Sequence, residues 1–68
     1  MQALKSLRQS RGLTQVQLAE LAGLTPEHLS NVERGRYIPK VTTLQRLAKA
    51  LRVHAAVLLD ADFDKKAS

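Results

Sequence analysis

Apolar residues along this 68-residue chain return every three or four positions, in short runs punctuated by glycine and proline. Leu4 and Leu7 share one stripe with Arg8 and Arg11, which predicts a first helix over residues 2–11, ending at Gly12. Leu18, Leu21 and Ala22 recur at the i, i+3, i+4 spacing and predict a second helix over 14–22. Thr14 and Gln17 open it as a capping box, in which a hydroxyl and a carboxamide each satisfy a free N–H. Gly23 is placed to stop it, since the closing residue of a helix often needs positive φ. Thr25 followed by Pro26 starts a third helix over 25–34, with a hydroxyl N-cap and then a proline whose missing N–H costs nothing there. Gly35 closes it as Gly23 closes the second. Pro39 disfavours helix at Ile38, so 36–40 reads as a loop. Leu44, Leu47, Ala48 and Leu51 predict a fourth helix over 41–51, with Thr42 and Thr43 as candidate caps and Gln45, Arg46 and Lys49 outside. Residues 52–54 make its last turn. His54 starts a short fifth helix from Ala55 to Asp60, and 61–68 reads as a frayed tail. The expectation is an all-α, compact five-helix domain over 1–60.

The third helix carries the functional content. Leu29, Val32 and Glu33 fall within about 100° of arc, so that side can dock on the second helix. Glu27, Asn31 and Arg34 fall opposite, with His28 and Ser30 on the flanks, and present hydrogen-bonding groups outward. Two short helices joined by a glycine-containing turn form a helix-turn-helix, whose second helix enters the DNA major groove. Charge points the same way. Eleven Lys/Arg against six Asp/Glu give a net +5, which suits a polyanionic partner. Residues 1–54 hold nine Lys/Arg and three Glu, or +6, whereas 55–68 hold two Lys and three Asp, or −1. The basic surplus therefore coincides with the motif.

Other chemistries lack their residues. With no cysteine, disulfides and cysteine-ligated zinc are excluded. His28 and His54 have no Cys or Glu at ligand spacing around them. Asp60, Asp62 and Asp64 alternate as in a calcium loop, but without its glycine and closing glutamate. No metal or cofactor is expected. Neither a nucleophile–base pair nor a glycine-rich phosphate loop is present, so an enzyme is the least expected class. No signal peptide or apolar run near 18 residues occurs, which leaves a cytoplasmic protein with no membrane partner as the expectation.

Glu33, a carboxylate on the core face, needs a partner, because an unpaired buried charge is expensive. Arg8, on the inward stripe of the first helix, is the candidate. At this point the residues become familiar. Arg8 ahead of Gly12-Leu13-Thr14-Gln15, then Leu18-Ala19, Gly23 and Glu33-Arg34-Gly35, resemble the phage-repressor and Cro-like (lambda repressor-like) helix-turn-helix family over residues 4–59. That resemblance implies the same structural ion pair, Arg8 with Glu33. It implies base contacts from the first turn of the third helix and the turn after it, hence from Pro26, Glu27, His28 and Asn31, with Thr25 at the edge. Gln15 resembles the family's glutamine that touches phosphate and nearby bases. Arg34, Arg36, Tyr37 and Lys40 would lie along the DNA backbone. The chemistry is suitable, since Asn pairs bidentately with an adenine edge and Glu accepts from cytosine N4. Pro26 stands where relatives often carry a polar reader, and Pro39-Lys40 where they often carry Pro-Ser.

The resemblance further implies a bacterial or phage transcriptional regulator, more specifically a repressor, seated as a homodimer on a near-palindromic operator in duplex DNA. Val57, Leu58, Leu59 and Phe63 form the most apolar stretch near the end; part of it should pack on the fourth helix to complete the core, and what stays exposed is the expected dimer seam. An antitoxin-type subunit, binding DNA and a protein partner through the same apolar end, is the alternative. A protein-interaction module that keeps the fold without DNA is a third.

Overall fold

The computed structural model describes residues 1–36 and 38–58. Four helices occupy them in order: α1 Gln2–Ser10, α2 Gln15–Ala22, α3 Pro26–Glu33 and α4 Val41–Leu51. Residues 55–58 are helical as well, beginning at the carbonyl of His54, which accepts from the Val57 N–H at 3.0 Å. Leu59 and Asp60, expected in this fifth helix, and the expected tail 61–68 lie outside the described residues. No strand occurs among those described.

The short-range signals act where the sequence places them. Thr14 Oγ1 accepts from the Gln17 N–H at 3.1 Å while Gln17 Oε1 accepts from the Thr14 N–H at 2.8 Å, completing the capping box. Thr25 Oγ1 accepts from the His28 N–H at 3.0 Å, with Pro26 at the first helical position. All four helices end alike, with an N–H reaching back five residues: Leu13 to Arg8 (3.1 Å), Leu24 to Ala19 (2.8 Å), Arg36 to Asn31 (3.1 Å) and Val53 to Ala48 (2.9 Å). This closure needs a left-handed residue just before the donor. Glycine supplies it at the first three ends, as at Gly23 with φ 72°, but at the end of α4 Arg52 adopts φ 61°.

The core gathers Leu4, Leu18, Leu29, Val32, Leu47, Leu51 and Leu58, all fully buried. Each is a branched aliphatic of the size that carries about 1.5–3 kcal/mol on full burial. α2 is central, packed on both α3 and α4, while α1 closes against α3. That arrangement fixes α3 by one face and leaves its other face outward.

Three expectations are corrected. Leu21 belongs outside: it is 63% exposed, and the buried stripe of α2 is Leu18, Ala19 and Ala22. Burial of Ala19 turns the inward face toward it, which leaves Leu21 roughly 100° from the centre of that face. Thr42 and Thr43 do not cap α4. The N-cap is Lys40, which makes no side-chain capping bond, and both threonines fall within the first turn. Arg11, expected on the inward stripe of α1, ends that helix instead, and its Nε donates to the Leu51 carbonyl at 3.0 Å.

Arg52 yields a stability prediction. A non-glycine residue in the left-handed region costs roughly 1–2 kcal/mol, part of which glycine returns through its greater freedom when unfolded. Arg52→Gly should therefore stabilise the domain by about 0.5–1 kcal/mol in urea denaturation, and Arg52→Ala should not. A lower midpoint for the glycine variant would show that the arginine side chain outweighs its strained backbone.

Candidate nucleic-acid interface

α3 is held by its ends as well as its core face. At its start Thr25 and Pro26 are exposed at the surface, followed by Glu27, exposed, and His28, half-buried. Leu29, Val32 and Glu33 turn inward; Ser30 and Asn31 are half-buried, and Arg34 is exposed. The outward face expected from periodicity is thus present on α3. Glu27 lies in its first turn, where the positive end of the helix dipole favours a carboxylate. Arg36 and Lys40 follow in the connection to α4, both exposed. Tyr37, the remaining expected backbone contact, lies outside the described residues.

At the C-terminal end of α3 the inward carboxylate meets its partner. Arg8 Nε donates to Glu33 Oε2 at 2.7 Å and Nη2 to Oε1 at 3.1 Å, a bidentate pair whose side chains are only 9% and 3% exposed. Arg8 Nη1 also donates to the Leu13 carbonyl at 2.8 Å, which ties down the connection leading into α2. Gln15 Nε2 donates to Glu33 Oε1 at 3.1 Å. The carboxylate therefore accepts three N–H bonds, and among the described residues no buried side-chain nitrogen or oxygen lacks a partner. One arginine and one glutamate connect α1, the α1–α2 connection, the first residue of α2 and the last residue of α3.

Two contacts at this junction were not legible in the sequence. Gln15, expected to touch DNA, is half-buried and engages Glu33, eighteen positions away, where no periodicity links them. The α-amino group of Met1 donates to the carbonyls of Val32 (3.1 Å) and Glu33 (2.9 Å), satisfying two acceptors in the last turn of α3.

Of the expected dimer seam, Leu58 is corrected: it is fully buried in the monomer core. Val57 is 49% exposed, and Leu59 and Phe63 lie outside the described residues. Among the described residues no three His, Cys, Asp or Glu side chains gather into a metal-binding group. No helix in them is long and apolar enough to cross a membrane.

The burial of the ion pair sets a test. Removing one member of a buried pair strands the other and costs roughly 3–5 kcal/mol, against under about 1 kcal/mol for a solvated pair. Glu33→Ala should therefore lower the urea midpoint severely, whereas Arg8→Met combined with Glu33→Leu should recover much of the loss. A small effect of Glu33→Ala would mean that water reaches the pair in solution.

Residues 4–58 match the helix-turn-helix family model, most of the chain. The immunity repressor protein of Bacillus phage phi105 is 43% identical over 58 residues, covering 85% of this chain and 40% of the relative. The chain spans about two-fifths of the length of the first curated relatives it matches. Two crystal structures superpose with a TM-score of 0.82 each. One is the restriction-modification controller protein C.AhdI from Aeromonas hydrophila, 37% identical, covering 84% of this chain and 86% of that one. The other is the clp gene regulator ClgR from C. glutamicum, 36% identical, covering 93% of this chain and 83% of that one. With the buried Arg8–Glu33 junction, the capped α2–turn–α3 unit and this match over most of its length, the chain belongs to the helix-turn-helix family.

Proposed function

We propose that this chain is a sequence-specific duplex-DNA-binding transcriptional regulator, and that it acts as a repressor by occupying a near-palindromic operator as a dimer. The observation that carries this reading is the fixation of α3. Its inner face is buried, its start is capped by Thr25 and its last residue is pinned by the ion pair, while Glu27 and Arg34 are exposed and His28 and Asn31 half-buried on the remaining surface. A helix held in this way can enter a major groove without first being ordered, so binding free energy is not spent on folding the reader.

In this reading Thr25, Pro26, Glu27, His28 and Asn31 meet base edges, and Gln15 reaches a phosphate or base from the start of α2. Arg34, Arg36 and Lys40 lie on the DNA backbone and hold register, supplying affinity that is independent of sequence. The relative named as an immunity repressor supports repression over activation. The half-exposed Val57, next to a core residue at the end of the described chain, is the surface from which a two-fold seam would start. DNA as the target places the protein in the cytoplasm. The antitoxin-type reading would need that seam to accept a different protein.

Selection from a random duplex pool tests the readout. Recovery of an inverted repeat with half-site centres about 34 Å apart supports a dimeric regulator. Asn31→Ala should then cost about 1–3 kcal/mol and relax preference at one position per half-site. Arg36→Ala should instead weaken all sequences alike and reduce the salt slope by about 0.9 per lost phosphate contact. Binding with no enriched sequence would defeat the assignment of α3 as a reader.

The seam has its own check. Val57→Glu should shift the protein toward monomer in sedimentation equilibrium and weaken a full inverted repeat far more than a single half-site. An unchanged dimer would move the seam elsewhere.

A further inference from the structure

A second basic surface lies away from the residues assigned to DNA. The end of α1, the C-terminal half of α2 and the C-terminal half of α4 enclose an open groove of ≈ 830 Å³. No residue of α3 lines it, and neither do Gln15, Arg36 or Lys40. Arg11, Arg46, Lys49 and Arg52 stand around it against the single carboxylate of Glu20, four cations to one anion or a formal +3. Leu21 lies among them at 63% exposure, the leucine that periodicity would have put in the core.

Part of this charge has a structural use. Arg11 Nε bonds the Leu51 carbonyl at 3.0 Å, at the C-terminus of α4. Arg46 Nη1 lies 3.9 Å from where a Cβ on Gly23 would be, over the end of α2. Each helix C-terminus amounts to about −0.5 charge, so two of them offset about −1. Roughly +2 remains beyond what the helix ends absorb. A singly exposed leucine is ordinary on a protein surface. A leucine ringed by uncompensated cations in a concave site is a different arrangement, because it offers an apolar contact and a charge contact to the same occupant.

We infer that this groove is a docking site for an acidic protein segment, one that seats a leucine or phenylalanine side chain on Leu21 and pairs its carboxylates with Arg46, Lys49 and Arg52. Charge complementarity selects the occupant. The body of a second copy of this chain, at +6 over residues 1–54, would bring cations to cations. A phosphate backbone would satisfy the cations but strip water from Leu21 without covering it with apolar surface. Arginine clusters that read acidic motifs and grooves that take an apolar anchor are both established modes of peptide recognition, and here they share one groove.

The test is selection of a random dodecapeptide display library on the whole chain. The expected consensus is a leucine or phenylalanine flanked by two or more Asp/Glu. A synthetic peptide of that consensus should lose at least about tenfold in affinity with Leu21→Ser, as anchor contacts do. It should lose as much again with Arg46→Glu plus Lys49→Glu. Leu21 is exposed, so Leu21→Ser should melt like the parent protein and bind random-sequence duplex at low salt with unchanged affinity. No acidic–apolar consensus, or a peptide indifferent to these substitutions, overturns the inference. Loss of duplex affinity in Leu21→Ser also overturns it, by assigning this surface to the nucleic acid. Failure of the DNA reading itself is separate, since the peptide arm contains no DNA.

Discussion

A carboxylate buried on the inner face of the third helix imposes a demand that much of this small domain meets. Taking Glu33 and Arg8 out of water costs several kcal/mol per ion, and their attraction repays it only with good geometry and a hydrogen-bond partner for each buried polar atom. Both conditions hold. The pair is bidentate, Gln15 adds a third N–H to the carboxylate, and the third guanidinium nitrogen donates to the Leu13 carbonyl. A leucine in place of Glu33 could fill the volume but would accept nothing from Arg8 or Gln15. What the polar solution adds is direction: it pins the last residue of α3 to particular atoms of α1 and of the start of α2. In a small domain, which buries only about 60% of its unfolded surface, such a constraint adds direction to what the leucine-rich core holds together.

The same junction joins stability to recognition. Gln15 opens α2 and bonds the ion pair, while Glu33 ends the helix whose other face points outward. Any shift of α3 along its axis would have to break the Arg8 and Gln15 contacts to Glu33 and the Met1 contacts to its last turn. Of the proposed readers, Gln15 and Thr25 also take part in the hold, through Glu33 and the helix cap. Asn31 and Glu27 stay available because Leu29, Val32 and Glu33 do the anchoring. Fold and proposed readout are two faces of one eight-residue helix.

What was legible in the sequence follows the range of the interaction. The Thr14–Gln17 box, the Thr25–Pro26 start and the Gly23 stop are local, so residue identity and spacing determine them. The Arg8–Glu33 pair spans 25 positions and was still found, because a charge on a core face admits few solutions. The Gln15–Glu33 bond and the Met1 amine carried no such demand. Leu21 was misplaced because Leu18, Ala19, Leu21 and Ala22 fit two overlapping stripes, and packing against α3 and α4 chose between them. Leu58 was assigned to a seam because periodicity marks a residue as apolar without saying whether its own core or another chain covers it. Arg52 has no residue-level signal for positive φ; only the geometry of the α4 end reveals it.

Net charge is a coarser guide than it first looks. Of eleven Lys/Arg, Arg8 is consumed in the core, while Arg34, Arg36 and Lys40 follow α3. Four more, Arg11, Arg46, Lys49 and Arg52, surround a groove that contains none of the proposed DNA-contact residues. A pI near 10.3 thus averages over two surfaces with different surroundings: one polar, the other built around an exposed leucine. At low salt both would add to the field acting on the proposed DNA partner, because the Debye length, about 30 Å at 0.01 M, is then comparable to the dimensions of the domain, 33 × 22 × 20 Å. At physiological salt it shrinks to about 8 Å, and only cations near a phosphate still act on it. In the proposed readout, equilibrium salt dependence therefore counts the contacts at α3, while the groove's cations are left to the proposed acidic segment.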